Sequence, residues 1–364
     1  MKLLIGGSPC THWSIAQTKN RETEASGIGW ELFLNYRIAR DKYQPDFFLY
    51  ENNKSMSPAI RVQISKELGV EPVLINSALV SAQNRQRLYW AGKRNPDGTY
   101  SQVPVEQPED SCILLRDILE SGVCWREKAY TLKANYFKSS ATSAMDGGHF
   151  PAPMVAEPVN MTADGKAQCL RATYYKDGIR NLVGNAVDRK TCVAMPVGMA
   201  TGPKSILVVT AAGKSVPVYE VRNGKIAIKG EEYPIKLADG FYIIRKLTVT
   251  ECKRLQTVPE EYVFPVSDTQ AYKMLGNGWT VDVIVHIMSH FTGLTEEPVE
   301  VLSMYDGMSC GHIALDKLGA EITAYYATEI DKYAIQTTQH NYPDTVQLGD
   351  AFQVRDDGWR LESL

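Results

Sequence analysis

The sequence predicts an α/β protein built on a doubly wound, mostly parallel sheet, with a second, smaller β-rich unit. Three observations carry this. Short apolar runs alternate with segments of helical period over residues 1 to about 120. The same alternation returns over the last 64 residues. Between them, from Val123 to about Ile244, the chain is rich in Gly, Pro, Thr and Val, with turn signals at DGG, ADG, KDG and RNG. Alternating strands and helices are the signature of parallel βαβ units, whereas closely spaced short strands and turns favour an antiparallel unit.

Taken in order, LLI at 3–5 reads as a strand that collapses into the glycine turn GGSPC. WELFLNYRIARDKY reads as a helix, FFLYE at 47–51 as a strand, SPAIRVQISKELG as a helix and PVLINSALV at 72–80 as a strand. Within the β-rich stretch, EKAYTLKANYFK at 127–138 and GKAQCLRATYYK at 165–176 share a pattern. Leu132, Ala134 and Tyr136 alternate with polar residues, which predicts a strand with one apolar face. Thr248 with Glu251 three residues on is a capping box, so a short helix runs over 249–256. LGNGWTVDVIVHIMSHF is a glycine turn feeding an apolar helix, and TGLTEEPVE is a polar linker. VEVLSMYDG, ITAYYATEID and TVQLGD then read as strands separated by the helices CGHIALDKLG and YAIQTTQHNY. These elements form either two α/β domains or one sheet drawn from both ends of the chain.

At 364 residues and 44% hydrophobic composition, the chain can bury a large core and a second small one. No run approaches the roughly 18 apolar residues of a bilayer span, and no signal-peptide pattern opens the sequence, so a cytoplasmic location is expected. The seven cysteines form no CxxC pair and have no histidine at metal-ligand spacing, which argues against a disulfide framework and against a metal site. The net charge is −3, yet Trp125 to Arg245 holds 17 Lys and Arg against 10 Asp and Glu. That segregated positive charge is either a solvated surface or a phosphate-binding one.

The chemistry concentrates at strand ends. MYDGMSCGHIAL is a strand ending in a glycine turn that opens a helix, which presents N–H groups to a polar ligand, although the dinucleotide fingerprint GxGxxG is absent. Glu329 ends the next strand, where a carboxylate can accept from ribose hydroxyls. Asp350, after Gly349, can accept from an adenine amino group. Cys10 follows its strand on a glycine-rich turn, where it is either an activated thiol or a buried structural one. Glu51 ends a neighbouring strand, and Arg85 and Arg87 in QNRQR would face the same way on an extended segment.

GGSPCTHWS, ENN, QNRQRLYW, RKLTVTECKRLQTVP and LGNGWTVDVI, followed by YDGMSCGHIAL, TEID and GD, resemble the ordered motifs of the DNA (cytosine-5)-methyltransferases, of bacterial or phage type. The resemblance covers about two thirds of the chain. It implies a Rossmann-like, S-adenosylmethionine-dependent sheet assembled from both ends of the chain. Residues 1–122, 245–292 and 301–364 would be catalytic, 123–244 the target-recognition domain and 293–300 a linker. Family members usually begin with DGxSCG and meet the PC motif later, so this order implies a circular permutation, with residues 1 and 364 on neighbouring edges.

The resemblance further implies that Cys10 adds to C6 of a flipped-out cytosine in double-stranded DNA, Glu51 serves N3, Arg87 contacts O2, and Arg85 supports the catalytic loop or a phosphate. Ser14 and Gln83 would touch DNA, and a mobile loop would begin at Thr11. Tyr305, Asp306, Gly307, Ser309, Gly311, Glu329, Ile330, Asp350, Asn277, Trp279 and Pro9 would line the cofactor pocket. Thr11, Asn53 and Thr257 depart from the usual family residues and carry no role over. An RNA cytosine-5 methyltransferase, which lacks support from a Cys-Phe-Thr element, and a catalytically silent DNA-binding regulator are the alternatives. Target sequence, a restriction partner and oligomeric state are not encoded in these motifs.

Overall fold

The computed structural model describes residues 1–14, 21–139, 153–159, 206–209, 215–228, 230–356 and 358. Strand β1 (Lys2–Gly6) leads through a short turn to helix α1 (Gly27–Tyr43), strand β2 (Phe47–Asn53), helix α2 (Pro58–Leu68) and strand β3 (Val73–Asn76). Two residues of β4 (Gln83–Asn84) precede β5 (Gln86–Arg94) and β6 (Tyr100–Gln102). The β-rich stretch holds β7 (Ala129–Tyr130), β8 (Met154–Pro158), β9 (Ile206–Val209), β10 (Ser215–Arg222), β11 (Lys225–Ile228), β12 (Glu231–Pro234) and β13 (Gly240–Lys246). Helices α3 (Val249–Leu255), α4 (Asp268–Asn277) and α5 (Val281–Met288) follow. The chain then runs through β14 (Val299–Met304), α6 (Cys310–Leu318), β15 (Ile322–Thr328), α7 (Lys332–Asn341), β16 (Val346–Gly349) and α8 (Ala351–Asp356).

One sheet takes strands from both ends of the chain, in the order β16-β15-β14-β1-β2-β5-β3, with β6 on β5. β1 lies between β14 and β2 and is parallel to both, whereas β5 runs antiparallel to β2 and β3. Alternation then sorts the core into two layers. Leu3, Ile5, Phe47, Leu49 and Val301 pack with α5 and α6 on one face. Leu4, Phe48, Tyr50, Leu302 and Met304 pack with α1 and α2 on the other. Covering both faces is what a parallel sheet requires. A separate cluster around Val221, Ile226, Tyr242 and Ile244 holds the antiparallel sheet β12-β11-β10-β13-β8 together.

The capping box forms as expected: the Thr248 hydroxyl accepts from the Glu251 N–H and the Glu251 carboxylate accepts from the Thr248 N–H. The first copy of the repeated pattern does not form the expected strand. Only Ala129–Tyr130 are extended and Tyr136 lies in a short 3-10 turn. The cause is pinning from the main core: the Leu132 N–H donates to Gln83 Oε1 at 3.0 Å, and its carbonyl accepts from Arg85 at 3.0 Å. The second copy and residue 364 lie outside the described residues.

Candidate active site

One rung of the sheet organises the site. Gly349, Thr328, Met304, Gly6 and Tyr50 are neighbours across five parallel strands. The residues that follow them are therefore Asp350, Glu329, Tyr305, Gly7 and Glu51, all on the carboxyl edge. In open α/β sheets ligands bind in the crevice outside that edge. Residues nearly 350 positions apart in sequence thus share one row.

Turn Gly7–Ser8–Pro9 lifts the chain into a short 3-10 segment, Cys10–His12. Asn52, the second residue of ENN, pins that turn: its amide donates to the Ser8 carbonyl at 3.1 Å and to the Tyr50 hydroxyl at 3.1 Å. Ser8 and Tyr50 share a 2.6 Å hydrogen bond beneath it. Glycine is required at position 7, because a Cβ there would stand 2.8 Å from the Glu51 carbonyl and 3.0 Å from Oε2. Of the described cysteines within the core, burial pushes the Cys252 thiol well up and the Cys310 thiol up to about 12. Neither supplies a thiolate at neutral pH, since the thiolate is the nucleophile.

Glu51 and Arg87 come together: Arg87 Nε is 3.0 Å from Glu51 Oε1, with side chains 16% and 12% exposed. Glu51 Oε2 accepts from the Trp279 indole at 3.0 Å. Trp279, expected on the cofactor side, thus reaches the carboxylate. Arg85 does not join this face. The strand breaks between β4 and β5 at residue 85, so the alternation argument fails there. Its buried guanidinium donates to the carbonyls of Leu132, Gly276 and Gly278, which fixes the Gly276–Trp279 turn. Gln83 is likewise fully buried, donating to Leu255 and Gln256, so the expected DNA contact is replaced by a structural one.

Thr11 and His12, where the expected loop begins, lie in the 3-10 segment. Trp13 is fully buried and donates to Glu22 Oε2 at 3.1 Å, while the Gly29 N–H donates to Glu22 Oε1. The Glu22 N–H donates to the His12 carbonyl, and Arg21 reaches the carbonyls of Trp13 and Ser55. Both feet of the segment are therefore fixed to α1, with half-buried Ser14 at one of them. Residues 15–20 lie outside the described residues.

On the far side of Gly7, Tyr305, Gly307 and Ser309 all adopt φ near +60°. Two of these are not glycine, a strained backbone of the kind concentrated at ligand sites. The Gly307 N–H donates to Glu329 Oε2 at 2.8 Å, and the Ile330 and Asp331 N–H groups donate to Oε1. A carboxylate has about four acceptor directions, so Oε2 retains one for a hydroxyl. Ile330 stands 75% exposed beside it, Asp350 and Pro9 are exposed beyond the ends of β16 and β1, and Asn277 is exposed at the end of α4. This set of carboxylates, exposed apolar surface and strained turn fits an adenosine-bearing cofactor.

Asp306, Ser309 and Gly311 serve the turn from within. Burial raises the Asp306 carboxyl, opposed by hydroxyl donation from Ser303, Ser309 and Tyr325. The fully buried Ser309 side chain also meets Thr338 at 2.9 Å, and a Cβ on Gly311 would meet Ile5 Cδ1 at 2.1 Å. Their side-chain positions face protein, so any part they take in holding a cofactor falls to their backbone. Asn52 and Glu22 were not singled out in the sequence; only their nearness to ENN and to the cysteine turn hinted at them. Among the described residues no His, Cys, Asp and Glu cluster could hold a metal ion, and no helix is long and apolar enough to cross a membrane.

The family model described as C-5 cytosine-specific DNA methylase matches residues 1–292. The Type II methyltransferase M.SsoII of Shigella sonnei is 55% identical over 299 residues, 78% of this chain and 62% of that protein. This chain thus spans less than two thirds of that relative. M.HpaII of Haemophilus parainfluenzae, also a Type II methyltransferase, is 24% identical over 298 residues, 78% of this chain and 69% of that protein. A solved methyltransferase structure from Entamoeba histolytica covers 81% of this chain and 78% of its own, at 13% identity and a TM-score of 0.39. With the matched region holding the cysteine turn, ENN, QNRQR and the Gly276–Trp279 turn, the chain belongs to the C-5 cytosine-specific DNA methylase family.

Proposed function

We propose that this chain is a Type II-like DNA (cytosine-5)-methyltransferase that uses S-adenosylmethionine and attacks C6 of a flipped-out cytosine in duplex DNA with Cys10. The observation that carries the reading is the shared rung, which sets the cysteine turn between Glu51 on one side and the Tyr305–Ser309 turn on the other. Cytosine C5 is a weak nucleophile. Addition of the Cys10 thiolate to C6 moves electron density into the ring, while Glu51 donates a proton or hydrogen bond at N3 and Arg87 accepts no proton but stabilises O2. The resulting enamine is nucleophilic at C5. When bound, S-adenosylmethionine supplies an electrophilic methyl group. A base then takes the C5 proton, the thiolate leaves C6 and the N3 proton returns to Glu51, which restores the aromatic ring, Cys10 and the acid.

Glu329, Ile330, Asp350 and Asn277 would hold the cofactor, with Pro9 as the wall between the substrates. Because C6 is unreachable in a stacked duplex, the base must leave the helix, and the segment tethered between Trp13 and Arg21 is the candidate to enter the gap. Residues 123–244 would read the target and 293–300 would join the two catalytic parts. A circular permutation accounts for the family match ending at residue 292 while β14, β15 and β16 complete the same sheet. The enzyme would act inside a bacterial or phage-infected cell.

Bisulfite sequencing of DNA from cells expressing the wild type and Cys10→Ser tests the reading. New protected cytosines in one sequence context, absent with Cys10→Ser, are expected. Wild-type and host patterns that coincide would overturn it.

A further inference from the structure

Trp279 leaves the cofactor side of the site and touches the carboxylate that serves the base. Its backbone is held from three directions. The Gly278 carbonyl accepts from Arg85 at 2.8 Å, the Thr280 hydroxyl donates to Gln256 Oε1 at 2.9 Å, and the Cys310 thiol meets the Trp279 carbonyl at 3.8 Å. From that fixed base the indole Nε1 donates to Glu51 Oε2 at 3.0 Å. Arg87 Nε sits 3.0 Å from Oε1 of the same carboxylate.

A glutamate has three rotatable side-chain bonds, and one donor fixes a carboxylate oxygen while leaving the plane free to turn. A hydrogen bond on one oxygen, from Trp279, and an ion pair on the other, with Arg87, together fix the plane. The indole N–H and the guanidinium are donor-only groups, so neither competes for a proton that Glu51 must deliver. Gly7 lies against the same carboxylate, and any side chain there would push on Oε2, since a Cβ would stand 3.0 Å from it.

We propose that Trp279 is a positioning residue for Glu51, fixing the carboxylate plane against the edge of the incoming cytosine. This rests on the methyltransferase reading above. A residue that acts only by lining the cofactor pocket would instead govern cofactor affinity.

The experiment compares wild type, Trp279→Phe, Glu51→Gln and the double variant in single-turnover methyl transfer, with S-adenosylmethionine affinity measured by calorimetry. Trp279→Phe keeps an aromatic wall and removes the N–H. It is expected to slow transfer about tenfold, equivalent to about 1.4 kcal/mol on the barrier, with cofactor Kd changed less than twofold. The double variant is expected to be no slower than Glu51→Gln, because residues acting through one another are non-additive. Additive losses, or weakened cofactor binding with an unchanged rate at saturation, overturn the proposal. A second readout needs no turnover: the indole N–H resonance, assigned by its loss in Trp279→Phe, is expected to move in Glu51→Gln, and an unmoved resonance overturns the contact. If wild type transfers no methyl group, the methyltransferase reading fails while the resonance still decides the contact.

Discussion

Two arginine–carboxylate sites in this molecule share their chemistry and differ in what surrounds it. In one, Arg245 joins Glu157 on β8 to Glu251 on α3, tying the antiparallel sheet to the helical part. Glu251 is fully buried and accepts four hydrogen bonds, two from Arg245 and one each from the Glu120 and Thr248 N–H groups. Every acceptor direction is used. In the other, Glu51 accepts a single hydrogen bond, from Trp279 on Oε2, and is ion-paired with Arg87 at Oε1, so that it keeps its remaining directions for the crevice. The saturated site can only hold structure, whereas the half-filled one can receive a substrate.

The comparison breaks first at Glu251. Glu251→Ala would leave the largely buried Arg245 with Glu157, the Ser121 contacts and the Lys246 carbonyl, and removing one partner of a buried pair costs about 3–5 kcal/mol. A marked fall in the urea midpoint is expected, with methyl transfer by the fraction still folded largely retained. An unchanged midpoint would mean that the cluster does not hold the two parts together.

Glu51→Gln sharpens it from the other side. The amide can still accept from Arg87 or Trp279, so the urea midpoint should stay near wild type. General acid function is lost, and that contribution is typically 10²-fold or more. Single-turnover methyl transfer is therefore expected to drop by about that factor at unchanged stability. Equal losses of rate and stability would place Glu51 with Glu251 as a structural carboxylate.

Sequence patterns reveal these two sites unequally. The strand–helix alternation, the glycine turn before Cys10 and the Thr248–Glu251 capping box are local, so period and spacing expose them. Glu51 is legible for the same reason, as it closes the apolar run FFLY, although strand β2 continues to Asn53. Arg85 and Gln83 are not. In a polar run they look exposed, but the chain threads between α3 and the Gly276–Trp279 turn, and both become donors to buried carbonyls. Trp279 reaches Glu51 across 228 positions of sequence. No window contains that contact, and only the folded sheet brings its two ends together.

The smallest effect is expected at Tyr305, where its turn meets helix α1. The Tyr305 hydroxyl donates to the Leu32 carbonyl at 2.7 Å, and the Asn35 amide lies 3.4 Å from it. Burial pushes this phenol up, so it stays a donor throughout the working pH range. The same helix takes the Gly29–Glu22 bond at its first turn. Tyr305→Phe removes one net hydrogen bond, worth about 0.5–1.5 kcal/mol. Because the bond steadies a backbone already strained at φ +59°, the loss should appear as cofactor Kd rising about 2- to 10-fold, with the rate at saturating cofactor unchanged. A slower rate at saturation with Kd constant would instead show that α1 transmits the state of the Tyr305 turn to the cysteine loop, and the two halves of the crevice would then be one mechanical unit.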